Sequence, residues 1–425
     1  MNLRPYWWDT VPLPDETPHE APLPPRVDAV VVGAGYTGLS AARRLAMCGA
    51  SVLVVERETI GWGASSRNGG QVLTGLAIDS VSLLRAYGRR RARALFRAAS
   101  DALNGLEELI QDERIDCGFE RTGHVQAAWK RSHFESLREE QAVLAREFDH
   151  HVRIVDRQDQ QQEIGSDRFH GVLVDDRSAA LNPAQYVRGL ARAAQARGVR
   201  IVTGVSVLET ARDGDVWRIG TTAGAVTARD VLFATNGYTD GAFPELRRRI
   251  VPVGSYIVAT EPLDAETAAS LVPRRRMAFD SKYFLYYFRV TGDRRLLFGG
   301  RAEFRRPDAH SVGRAASILR RGLNMVFPRL ADVRIDYAWG GNVAFARDRM
   351  PHAGQLAQKY FAAGYGGHGI AIATALGDAI ARRMAGQLVD HPMFDDPMPT
   401  IPLYHGRPWF LPFVGAYYAA KDWLS

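Results

Sequence analysis

The chain has 425 residues, 46% of them apolar and 24% charged, with a formal net charge of +7. That length exceeds one ordinary hydrophobic core and predicts two domains, and the composition excludes a disordered or fibrous chain. Only two cysteines occur, Cys48 and Cys117, which excludes a disulfide framework or a cysteine-built metal site and predicts a reducing, cytoplasmic setting with no metal centre.

Residues 1–26 are proline-rich and aperiodic, so they predict an extended arm. Within it Tyr6, Trp7 and Trp8 are too apolar to stand free in water and are expected to anchor the arm to its own body or to a neighbour. The opening MNLRPYWWDT lacks the pattern of a signal peptide, and no apolar run is long enough to predict a spanning helix.

The next stretch is the most informative. Val30, Val31 and Val32 form a strand that enters the turn Gly33-Ala34-Gly35-Tyr36-Thr37-Gly38. A helix, Gly49 and a second apolar strand at 52–55 follow, ending on Glu56. Gly33 allows the tight turn, Gly35 lets a pyrophosphate approach the backbone, and Gly38 lets helix and strand pack closely. The helix N-terminus binds the diphosphate, and Glu56 stands at the distance of a ribose acceptor. These residues predict a bound dinucleotide.

A turn-rich run occupies 61–71, and helical periodicity covers 80–111 and 133–147. Between those helices, 118–129 reads as a strand pair turning at Gly123. Asn182 and Pro183 form a strong helix start, as N-cap and first helical residue, for a helix running to Ala196. Strands are expected at 199–202, 205–210, 216–221 and 230–234, the last ending in Thr235-Asn236-Gly237-Tyr238-Thr239, where open α/β sheets collect ligands. Residues 250–305 read as aromatic-rich β structure and 311–326 as a helix. A strand at 360–363, the turn 364–369 and a helix at 370–384 follow. Arginine clusters at 89–91, 247–249 and 274–276 are scattered and lack aromatic interleaving, so they read as solvated helix faces and no nucleic-acid partner is expected.

A nicotinamide dehydrogenase has no use for a second glycine-rich turn opening a late helix. FAD, bound extended, needs contacts at both ends. The turn Gly366-Gly367-His368-Gly369 offers a second helix N-terminus whose dipole favours negative charge on a reduced flavin.

The 33–56 unit, the 61–71 run, the Ala-Thr-Asn-Gly-Tyr-Thr turn at 234–239 and the closing Gly-Gly-His-Gly helix resemble the D-amino-acid-oxidase-type flavoproteins. Within that group the chain is most similar to the gamma-glutamylputrescine oxidoreductase branch. The 61–71 run, the segment from Tyr286 to Arg301 and the ending from Tyr417 to Leu424 carry that likeness. The resemblance implies an α/β (overall α+β) fold. A Rossmann-like FAD-binding domain would be assembled from 27–115, 178–240 and 335–395. A mixed-sheet substrate domain from 116–177 and 241–334 would roof the flavin, leaving an aromatic tail at 396–425.

The same resemblance implies oxidation of an amine C–N bond by hydride transfer to flavin N5, giving an imine that hydrolyses to an aldehyde. Gamma-glutamylputrescine or a similar small amine is the expected substrate, and O2 or another acceptor takes the electrons. An N-methyl or secondary amino acid and a non-catalytic flavin-binding role are the alternatives. Relatives that clamp a substrate carboxylate carry arginines just after the glycine-rich turn, and residues 68–78 here hold no basic residue. The lysine linked to oxygen activation in those relatives has no counterpart at 296–299, and neither cysteine is placed to bind flavin covalently. Non-covalent FAD is expected.

The resemblance assigns the cofactor to Gly33, Gly35, Tyr36, Thr37, Gly38, Glu56 and Arg57, then to Gly63, Ala64, Ser65, Arg67, Asn68, Gly69, Gly70 and Gln71. Val207, Thr235, Asn236, Gly237, Gly340, Gly366, Gly367, His368 and Gly369 complete it. His368, Arg67 and Tyr286 are the candidate catalytic residues, each with a plainer reading: a helix-capping histidine, a surface arginine and a core tyrosine. Trp339 and Asn342 are expected to wall the pocket. The run from Trp409 to Phe413 with Tyr417 and Tyr418 faces a membrane, a second copy in a homodimer, or the protein's own surface.

Overall fold

The structure is a computed structural model that describes residues 1–12, 22–300, 308–406 and 408–424. Two eight-stranded sheets organise it. In the first, strand Arg26–Val32 lies parallel to Val52–Val55 on one side and to Gly224–Phe233 on the other. Arg200–Val202 and Lys359–Ala363 extend the parallel array outward. The inner stretches of the central strands, 29–32, 52–55 and 231–233, are apolar and buried, as parallel strands covered on both faces must be.

The helix after the first strand, Tyr36–Met47, lies along the last long helix, Gly369–Met384. Gly377 permits this closeness, since a Cβ there would collide with the Thr37 carbonyl. Ser40 Oγ donates to the Thr374 carbonyl across the contact at 2.7 Å. Segments more than three hundred residues apart are thereby joined behind the turn at Gly33–Gly35.

The second sheet is antiparallel except where Met277–Asp280 runs parallel to His124–Ala127. Helix Ala309–Val326 covers one face, packing Leu319 and Leu323 with Phe288 and Phe298. Arginines of the 89–91 and 274–276 clusters enter ion pairs, such as Arg89 with Glu147 and Arg276 with Glu163, and Arg249 donates to the carbonyls of Met398 and Glu245.

Several expectations need correction. Residues 118–129 contain one strand, not a pair. Gly118 and Gly123 both take positive φ and interrupt the segment, leaving Glu120 as an isolated bridge to Ala180. The strand Ile335–Phe345, assigned above to the FAD domain, pairs with Val251–Thr260 in the second sheet. Its paired glycines are strand residues that let Arg67 approach, with the Arg67 Cβ only 3.1 Å from where a Cβ on Gly341 would stand.

The N-terminal arm is not merely extended. Tyr6–Thr10 forms a 3-10 turn that buries Tyr6 and Trp7 against the body, while residues 13–21 of the expected arm lie outside the described ones. The aromatic tail divides its surfaces. Leu411 and Tyr404 dock on Val251 and Val253, whereas Trp409, Phe413 and Tyr417 face outward. No helix among the described residues is long and apolar enough to cross a membrane.

Candidate active site

A cavity of about 330 Å³ opens at the carboxyl ends of the parallel strands and reaches the second sheet. It begins where strand Arg26–Val32 gives way to the glycine turn. Gly33 has φ +107°, a left-handed value that favours glycine. Gly35 is the N-cap of the first helix and offers no side chain to cap it. Its missing Cβ is needed, because one would stand 2.9 Å from Ser65 Oγ. Ser65 Oγ also accepts the Tyr36 N–H at 3.1 Å, which brings a hydroxyl over the helix N-terminus.

Glu56 ends the second strand and lines the same end of the cavity as Val205, Ser206 and Val207. Its carboxylate accepts the N–H groups of Ala34 at 2.8 Å and Glu58 at 2.9 Å. Burial raises its pKa, and the two backbone donors oppose that rise. These bonds fix one carboxylate oxygen on the glycine turn and the other on the backbone at Glu58.

The 61–71 run wraps the middle of the cavity and is braced from outside by the N-terminal turn. Trp7 Nε1 donates to the Asn68 carbonyl and Trp8 Nε1 to Ser66 Oγ, both at 2.8 Å. Arg67 is no surface arginine. Its Nε donates to the Trp62 carbonyl at 2.7 Å and one terminal nitrogen to the Gly340 carbonyl at 3.1 Å. Its guanidinium carbon lies 4.9 Å from the Trp8 ring centre and 4.4 Å from that of Trp62. Among the described residues no carboxylate is within ion-pair reach of it, and burial lowers its pKa. The result is a positive charge held by neutral groups against the cavity wall.

At the far end the chain turns through Gly366 and Gly367, with φ of +61° and +101°, into the last long helix. The Tyr365 hydroxyl lies 2.6 Å from Thr37 Oγ1, tying this turn to the nucleotide helix. His368 is the N-cap but makes no side-chain capping bond. Burial pushes its imidazole down to about 4, so it is neutral near pH 7. Its Nδ1 has no hydrogen-bond partner, and neither has Oδ1 of Asn342 on the facing strand. Both residues line the cavity. Buried polar atoms rarely go unsatisfied, so two such atoms mark where a polar ligand belongs.

Most of the residues singled out from sequence line this cavity. Gly38, Gly70, Gly237, Gly340 and Tyr286 do not. A Cβ on Gly38 would strike the Gly33 carbonyl, so Gly38 serves helix–strand packing, as read above. Gly340 contributes its carbonyl to Arg67. Tyr286 is a correction: its ring packs against Trp129 and Phe298 in the second core. Tyr287, one residue on, lines the cavity instead. Successive strand residues point to opposite faces, and this strand is aromatic on both, so the phase was not readable. Trp339 is buried and donates to the Arg67 carbonyl without reaching the cavity. Ser255, Phe279 and Leu285 also line it and were not singled out as site residues from sequence, because two strands and a loop distant from the glycine turns bring them in.

A dinucleotide turn, a second helix N-terminus and a mixed sheet closing over both define a flavin-dependent oxidoreductase. Residues 28–383 match the family model DAO, the FAD dependent oxidoreductases, and the chain belongs to that family. It is 34% identical over 403 residues to gamma-glutamylputrescine oxidoreductase of Escherichia coli (strain K12), covering 94% of this chain and 93% of that one. It is 33% identical to the probable oxidoreductase OrdL of Haemophilus influenzae over 84% of this chain and 83% of that one. Among solved structures, glycine oxidase from Geobacillus kaustophilus superposes with a TM-score of 0.74 at 18% identity, covering 87% of this chain and 97% of that one. L-proline dehydrogenase from P. horikoshii gives 0.70 at 19%, over 85% and 93%. These two likenesses show a shared fold.

The residues present fit FAD. The N-terminus of the first helix, where Gly35 brings no side chain, and the orphaned atoms of His368 and Asn342 lie along one cavity. The chain is an FAD-dependent oxidoreductase of amines or amino acids.

Proposed function

We propose that the chain oxidises the C–N bond of an amine with no carboxylate beside the reacting carbon, gamma-glutamylputrescine or a close analogue. The observation that carries this reading is the charge of the cavity wall. Its lysine and arginine residues, among those described, are Arg57 and Arg67. Arg57 is paired with Asp240 and Glu58, and Arg67 is held by two carbonyls and two indoles. Arg57 is met by carboxylates and Arg67 belongs to the 61–71 run at the middle of the cavity, so among the described residues the end around His368 holds no cation for the carboxylate of an α-amino acid. The far end instead offers neutral polar groups, His368, Gln71, Ser255 and Tyr287, beside apolar Leu73, Phe279 and Leu285. The likeness to the gamma-glutamylputrescine oxidoreductase of Escherichia coli supports the same choice.

Bound FAD supplies the two-electron acceptor. The protein's contribution is placement and electrostatics. His368, neutral and with a free Nδ1 acceptor, is proposed to take the N–H of the neutral amine and orient its α-carbon. The first-turn N–H groups of helix Gly369–Met384 favour negative charge developing beside them. The walls exclude water until the imine is released and hydrolysed to an aldehyde and ammonia. Incubation with gamma-glutamylputrescine and an artificial acceptor, with aldehyde and ammonia assayed together, tests the reaction. The two products are expected in equal amounts; reduction of the acceptor by sarcosine or proline, and not by the amine, would overturn the assignment.

A further inference from the structure

The C-terminal helix, Leu411–Leu424, carries only two charged residues, Lys421 and Asp422, both near its end. A helix apolar all round belongs in a core or against lipid. One side is covered, where Leu411 packs with Tyr404 on Val251 and Val253. The other is not. Phe413 and Tyr417, four residues apart on one face, are 72% and 57% exposed, and Trp409, one turn earlier, is 59% exposed. Leu403, 79% exposed, adjoins them, its carbonyl accepting the Trp409 indole N–H at 3.4 Å.

Cations flank this aromatic stripe at both ends. Lys421 continues it, with Nζ 5.5 Å from the Tyr417 ring centre. Lys130 Nζ donates to the Asp422 carbonyl at 2.7 Å, and exposed Arg131 follows it. At the other end stands exposed Arg248, whose carbonyl accepts the Ile401 N–H. The helix's one acid is withdrawn from this surface. The Asp422 carboxylate accepts the N–H groups of Tyr283 at 2.8 Å and Phe284 at 3.0 Å.

We propose that this face docks on an anionic lipid surface. Trp and Tyr beside Lys and Arg are the groups that settle at a bilayer's headgroup boundary, the rings inserted and the cations among the phosphates. A second copy of the chain fits less well. It would bring the same flanking cations and another net +7, so the pairing would be repelled where an anionic surface is attracted. The loop that Asp422 caps leads into Leu285, a lining residue of the cavity, so the docked face adjoins the substrate end. The inference does not depend on the substrate.

Flotation of the full-length, flavin-loaded protein tests it, using phosphatidylcholine vesicles with and without phosphatidylglycerol. Light scattering reports its size in solution. Binding is expected only to the phosphatidylglycerol vesicles and is expected to weaken with salt. The variant Trp409→Ala/Phe413→Ala/Tyr417→Ala should lower the bound fraction about tenfold or more while keeping its flavin absorbance. The single change Phe413→Ser serves if the triple variant fails to fold. Failure to float with either vesicle would overturn the proposal. So would equal binding to both, or a concentration-dependent dimer that the variant abolishes.

Discussion

Gly35 and His368 mark the two ends of the cavity, and each makes a separate demand on chemistry. At Gly35 any larger side chain would meet the Ser65 hydroxyl and occupy the space over the helix N-terminus. Gly35→Val is therefore expected to purify colourless and to take up no added FAD, checked by the visible spectrum after gel filtration. At His368 the demand is neutrality. A histidine held at about 4, against 6.5 when exposed, binds fewer protons folded than unfolded between those limits. Its contribution to stability is fully present above pH 6.5 and is lost as the pH falls toward 4. The thermal midpoint should fall across that window, and fall less in His368→Asn. Above pH 6.5 the wild-type and variant curves should run parallel.

At the scale of elements, the N-terminal turn is the part whose importance was least visible beforehand. Its prolines predicted an arm, and only Tyr6, Trp7 and Trp8 hinted that it docks. What it docks on is the 61–71 run, through two indole donors and the Trp8 ring over Arg67. Trp7 is 2% exposed, so Trp7→Ala is expected to cost about 3–5 kcal/mol of stability. It should also weaken FAD retention, measured by denaturant titration and by flavin released on dialysis. Other elements were plain from sequence because the signal was local. The Asn182 side chain accepts the N–H groups of Ala184 and Gln185, as its pairing with Pro183 foretold. The strand Ile335–Phe345 and the phase of Tyr286 and Tyr287 were not legible, since sheet partner and buried face are decided by residues far away in sequence. The glycines of the nucleotide turn were legible because each answers a steric need within a few residues.

The whole molecule is joined at the cavity. The first helix meets helix Gly369–Met384 through Ser40 and Gly377, the nucleotide turn meets the late turn through Thr37 and Tyr365, and the second sheet lends Ser255, Phe279 and Tyr287 to the wall. A ligand in this cavity, lined by both glycine turns and by the second sheet, binds the folded chain and not the unfolded one. FAD at about a hundred times its Kd should then stabilise the protein by about 2.7 kcal/mol. A rise in melting temperature on adding FAD to stripped protein, absent in Gly35→Val, is the expected outcome.

The most direct test of the account is anaerobic titration of the purified yellow protein with gamma-glutamylputrescine, putrescine, sarcosine and proline, followed at the flavin's visible absorbance. Bleaching by gamma-glutamylputrescine, with sarcosine and proline inert, is the predicted result. Bleaching by the amino acids alone would contradict the reading of the cavity wall, and a colourless protein that takes up no FAD would contradict the site itself.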